Sequence, residues 1–113
     1  MRSLLAGSLL MLVLTTTTSA KLEDYHDVNI HIINQTSVGA WIMVYVAAGG
    51  NVGAFCVSPG HRDEKYFPTA SNVVAEIKGG HDCSGAPRKR LSADLTRQYL
   101  RKTITGSGDS ITW

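Results

Sequence analysis

The chain reads as a mainly β protein: a compact antiparallel β-sandwich, or a small barrel, of about seven strands held by one disulfide. Three observations predict it. Alternating or β-branched apolar segments recur from Val28 onward, and each is bounded by clusters of Gly, Pro, Asn or Ser. Two cysteines, Cys56 and Cys83, follow an opening that has the layout of an export signal.

That opening, MRSLLAGSLLMLVLTTTTSA, has a cation at Arg2, an apolar run from Leu4 to Leu14 and a small-residue end at Thr18-Ser19-Ala20. The run is shorter than the roughly 20 residues that a membrane-spanning helix needs, and no second such run follows. The expectation is a signal peptide over 1–20, cleaved near Ala20, and one secreted β domain over 21–113 with no transmembrane segment. Its location would be extracellular, or periplasmic in a bacterium. A mature chain of about 93 residues is near the low end of what one hydrophobic core stabilises. In an oxidising compartment a Cys56–Cys83 disulfide is expected, worth about 3.5 kcal/mol in the chain-entropy description.

In VNIHIIN, Val28, Ile30 and Ile32 alternate with Asn29 and His31, the period of a half-buried strand. Asn34 to Gly39 supplies turn chemistry. AWIMVYVA follows, apolar on both faces, and so reads as a central strand covered on each side. Gly49-Gly50-Asn51 turns the chain into VGAFCV, which carries Cys56. After Ser58-Pro59-Gly60-His61, DEKYF and NVVAEIK read as two strands flanking a turn at Pro68-Thr69-Ala70-Ser71. Residues 79–91, GGHDCSGAPRKRL, read as a loop.

The last third has two readings. LSADLTRQYLRK fits a short amphipathic helix near 92–101, with Ser92 as N-cap and Leu91, Leu95 and Tyr99 spaced four apart. It also fits strands in which Leu91, Ala93 and Leu95 alternate and Leu100 and Ile104 point inward. The β-rich KTIT and SITW favour strands, with Gly106-Ser107-Gly108-Asp109 turning a final hairpin and Trp113 closing against the sheet.

The formal charge of +2 is too small to imply specific nucleic-acid binding, but its distribution is uneven. Glu23, Asp24, Asp27, Asp63 and Glu64 outnumber Lys21 and Arg62 early. Later, Arg88, Lys89, Arg90, Arg97, Arg101 and Lys102 face only Asp94. These six cations are the candidate anion-binding residues, suited to sulfate, phosphate or carboxylate groups. The tribasic run also resembles a protease processing site, but both cysteines precede Arg90, so cleavage there would release strands tethered only by packing.

Candidate chemistry elsewhere is sparse. His26 and His31 have odd spacing in a strand and face opposite ways, and His61 and His81 lack spaced partners, so no metal or other cofactor is expected. A disulfide leaves Cys83 no thiolate for His81 or Asp82 to activate. The sequence has no Gly-x-Ser-x-Gly elbow and no phosphate-cradling glycine loop. Asn34-Gln35-Thr36 matches the N-glycosylation pattern in a predicted turn, which makes Asn34 a candidate acceptor in a eukaryotic source.

An alternating first strand ending in Asn34, a second strand with Trp41, a glycine turn and the later Cys83-Ser84 are similar to the opening of thaumatin-like proteins. The similarity covers the first half of the mature chain; the many cysteines of that family are absent, and no residue's role carries over.

Together these features predict a small secreted, non-enzymatic binding or interaction module. Its partner would be an extracellular protein, a carbohydrate or an anionic surface, met with a basic edge. The alternative is a secreted enzyme inhibitor offering the loop over 79–90, or a small hydrolase in which Asp63, Glu64 or Glu76 converges with His61 or His81. A membrane-active toxin or effector is the third reading.

Overall fold

The computed structural model describes residues 23–113; the expected signal peptide and its cleavage point lie outside the described residues. Seven strands form: β1 Tyr25–Asn34, β2 Ala40–Tyr45, β3 Asn51–Val57, β4 Arg62–Ala70, β5 Asn72–Lys78, β6 Pro87–Asp94 and β7 Tyr99–Ile104. They make a three-stranded sheet of order β4-β1-β7 and a four-stranded sheet of order β3-β2-β5-β6. The two sheets face each other as an open sandwich, and the barrel alternative does not hold.

Alternation built the core as the sequence implied. Val28, Ile30 and Ile32 of β1 point inward against Ile42 and Val44 of β2 and Val73, Ala75 and Ile77 of β5, all 0–1% exposed. At one side of the sandwich Phe55 of β3 stacks on Phe67 of β4, with ring centroids 6.3 Å apart. Gly53 makes room for that contact, because a Cβ there would lie 2.5 Å from the Phe67 ring. Phe67 is therefore accommodated by a residue far away in sequence.

Four readings change. The sheets are not purely antiparallel: β7 lies parallel to β1, with Asn29 opposite Tyr99 and Ile32 opposite Lys102. The chain leaves β6 across the sandwich, and β7 then runs back down the free edge of β1 in the direction of β1. The helix over 92–101 does not form. Leu91 and Ala93 instead pair with Ala75 and Val73, so the open edge of β5 overrides the local helical spacing. Pro68-Thr69-Ala70 is not a turn but the end of β4, an edge strand where a missing N–H is tolerated; only Ser71 separates β4 from β5. Strand β2 is central in its sheet, but Trp41, Met43 and Tyr45 on its outer face are half-exposed rather than covered.

The final hairpin shrinks to one bridge, Thr105 with Thr112, around a 3-10 turn at Gly108–Ser110. This tail lies along the side between β6 and β7. Ile111 is buried, Trp113 packs against the core, and its Nε1 donates to the Ser92 carbonyl at 3.3 Å.

Candidate functional site

The expected disulfide forms. Cys56 on β3 and Cys83 in the β5–β6 loop are joined with Cα atoms 6.0 Å apart. The loop is seated on Gly39, whose N–H donates to the Gly80 carbonyl at 2.9 Å and whose carbonyl accepts from Lys78 N–H at 3.0 Å. A Cβ on Gly39 would come within 2.8 Å of Cys83 N and 3.0 Å of its sulfur, so the approach needs glycine. Inside the loop Asp82 accepts from the Ser84 hydroxyl and backbone N–H. Those two bonds lower its carboxyl pKa below the usual aspartate value. His61, His81 and Asp82 border one open cleft with Ser58 and Pro59. His61 Nδ1 is engaged by the Pro59 carbonyl at 2.9 Å, and Asp82 is held by Ser84. Among the described residues, no group of three His, Cys, Asp or Glu could hold a metal ion.

The six candidate cations do not gather on one surface. Arg90 is spent on Glu76, its cross-strand neighbour: Nε donates at 2.9 Å and Nη2 lies at 2.6 Å. Glu76 also pairs with Lys78 at 3.1 Å. The Lys78 hydrogen bond first, then Arg90, hold the Glu76 carboxyl below the usual glutamate range against a desolvation that raises it. Lys89 Nζ donates to the Asp109 carbonyl at 2.8 Å. With Arg88 it borders a small cleft of about 90 Å³ beside Val38, Ile77 and Ile111. Arg97 lies beyond Asp94, at the opposite end of β6 from Arg88. An eight-residue strand separates those ends by about 25 Å. Arg101 and Lys102, adjacent in β7, point to opposite sides of the other sheet. What looked like one basic edge is thus two cations at a small cleft and four dispersed ones.

Asn34 is not an exposed turn residue: it is 0% exposed at the end of β1. Its Nδ2 donates to the carbonyls of Val38 and Val57, at 2.8 and 2.9 Å. Its Oδ1 accepts from the Thr36 N–H and hydroxyl, at 2.9 and 2.7 Å. The atom that would carry a glycan has both hydrogens engaged inside the fold. The Asn-Gln-Thr triplet is a packed corner in which the threonine hydroxyl is a partner of the asparagine.

The outer face of the three-stranded sheet brings together residues the sequence reading did not combine. With Val28, Ile30 and Ile32 inward, β1 turns Asn29, His31 and Ile33 outward. Register then assembles rows across three strands. Tyr66 of β4, Asn29 and Tyr99 of β7 form one; Glu64, His31 and Arg101 form the next. Tyr66 is 73% exposed and Tyr99 40%, two of the three large exposed apolar side chains among the described residues. Between them Asn29 is 7% exposed, and its Nδ2 is buried without a hydrogen-bond partner. A neighbouring open cleft is bordered by His31, Arg62, Asp63 and Glu64. Alternation could have marked Asn29 and His31 as outward. The neighbours they meet come from register between strands far apart in sequence, and local spacing does not carry that.

The outer face of the four-stranded sheet differs. Its rows run Cys56–Trp41–Glu76–Arg90 and Ala54–Met43–Val74–Ser92, apolar at the centre with the Glu76 ion pairs at one end. The Tyr45 hydroxyl meets the Met43 sulfur at 3.4 Å on the same face. Compared with models of protein families, with curated proteins and with solved structures, the chain shows no match, so the similarity of its opening to thaumatin-like proteins rests on those residues alone.

Proposed function

We propose that the chain is an exported, non-enzymatic binding module whose recognition surface is the outer face of the β4–β1–β7 sheet. One observation carries this reading: the row Tyr66–Asn29–Tyr99 has two exposed aromatic side chains flanking a covered amide with an unused donor. Exposed tyrosines offer a large apolar area with a polar tip at little entropic cost, which is why they recur at binding surfaces. The sheet supplies rigidity, since β1 is paired on both sides along this row.

The basic edge expected from sequence supports binding less well, because Arg90 and Lys89 already have internal partners. The two surfaces are separable by experiment. Capture from the native extracellular setting is compared for the wild type, the Tyr66→Ala/Tyr99→Ala variant and the Arg88→Ser/Lys89→Ser/Arg90→Ser variant. The sheet-face reading expects loss of the captured partner with the first variant and retention with the second. The reverse pattern returns the function to the basic residues.

A further inference from the structure

We infer that β3 is a self-association edge: two copies of the chain pair antiparallel through their β3 strands and join their four-stranded sheets into one. The inference is independent of which outer face meets a ligand. It starts from the direction of the backbone groups. Lys78 N–H donates to the Gly39 carbonyl at 3.0 Å. Hydrogen-bonded and non-bonded pairs alternate along an antiparallel ladder, so Ala40, Ile42 and Val44 turn their backbone groups away from β5 and toward β3. There they meet Val57, Phe55 and Gly53. Ala54 and Cys56 therefore aim N–H and C=O away from β2, and among the described residues no other backbone group bonds to them. An extended strand is what fits such an edge.

The charges select whose strand it is. Charged side chains and proline keep the edges of a sheet from pairing with copies of themselves. Three of the four edges in this sandwich carry such guards: Arg62 to Lys65 and Pro68 on β4, Pro87 to Arg90 on β6, and Arg101 with Lys102 on β7. Strand β3, NVGAFCV, has neither. In any antiparallel register with itself it sets no charge against a like charge, whereas β6 paired about Lys89 would set cations against cations. The bulge between Val44 and Tyr45 ends the flat run near Asn51 and leaves Gly53 to Val57 regular. Pairing Ala54 of each copy with Cys56 of the other satisfies the outward backbone groups of both residues. Their side chains adjoin Met43 and Trp41 on the outer face, so the apolar centre of that face continues across the dyad. A two-fold pairing uses up the unguarded edge in both copies, and the guarded edges stop further growth, so the assembly closes at a dimer.

The test is sedimentation equilibrium of the disulfide-intact chain at concentrations up to about 1 mM. The mass should rise to that of two chains and no further. Ala54 is exposed, so Ala54→Lys and Ala54→Glu leave the core untouched, and unfolding curves superimposable on the wild type would show that both are folded. Each should raise the dimer dissociation constant about tenfold or more, because like charges then lie close across the dyad. Mixing the Lys and Glu variants in equal amounts should restore the two-chain mass. Tyr66→Ala/Tyr99→Ala, on the other sheet, should dimerise as the wild type does, so this result and that of the recognition face are read separately. A single-chain mass at every concentration overturns the inference. So does a dimer that both Ala54 variants leave intact, a mixture of the two that stays monomeric, or a mass that grows past two chains.

Discussion

Asn34 joins three segments that the chain otherwise keeps apart: the end of β1, the turn into β2 and the end of β3. Its side chain donates to the Val38 and Val57 carbonyls, the first of which also accepts from the Thr36 hydroxyl. Asn34→Ala leaves those buried acceptors and the Thr36 N–H without it, and is expected to cost about 3 kcal/mol, measured by urea unfolding. A change below about 0.5 kcal/mol would show that water or a local shift replaces the bonds. Glu76 is the second residue of this kind, held between Lys78 and Arg90. Its carboxyl pKa is lowered in the folded state, as are those of Asp24, which accepts from Ala47 N–H and the Ser71 hydroxyl, and of Asp82. A depressed folded-state pKa contributes stability that is whole above the unfolded value and is lost as pH falls through the folded one. Stability should therefore fall on acidification below the usual carboxylate range, with no matching loss from these groups on the alkaline side. Glu76→Gln should cost about 1–2 kcal/mol near neutral pH, discounted for the exposed Arg90 end, and should flatten the acid limb of the unfolding profile.

At the scale of elements, β6 shows why adjacent residues do not make a patch. Strand alternation sends Lys89 and Arg90 to opposite faces, and each finds a different partner, Asp109 or Glu76. The tribasic segment is also not a loose loop, since Arg90 and Lys89 are paired in register with Glu76 and Ile77 of β5. A protease needs a backbone it can lift free, so β6 should resist cleavage. The intact mass of the purified protein should show no cleavage after Arg90; a species ending at Arg90 would contradict the placement of β6. The sequence was most informative where one face of a strand is buried and the other wet, as in Val28-Ile30-Ile32 and Val73-Ala75-Ile77. It misled at Pro68–Ala70, where turn-forming residues end an edge strand, and at 92–101, where helical spacing lost to an unpaired edge.

For the whole molecule, the legible part was the sandwich and its staple, because both follow from local alternation and from two cysteines behind an opening that has the layout of an export signal. The candidate site was not legible as a unit. Tyr66, Asn29 and Tyr99 become neighbours only once β4 pairs antiparallel and β7 parallel on either side of β1, and that parallel pairing has no local signature. The sandwich thereby presents two unlike outer faces, one polar with exposed tyrosines at its sides and one apolar at its centre with ion pairs at one end. The account rests on the first of these as the surface that meets a partner. Backbone amide chemical-shift mapping of the isotope-labelled chain, titrated with the ligand it captures, tests that most directly. The account predicts perturbations concentrated at Asn29, His31, Glu64, Tyr66, Tyr99 and Arg101; a cluster at Arg88–Arg90 and Gly108–Ile111 with the tyrosine strands unmoved would contradict it.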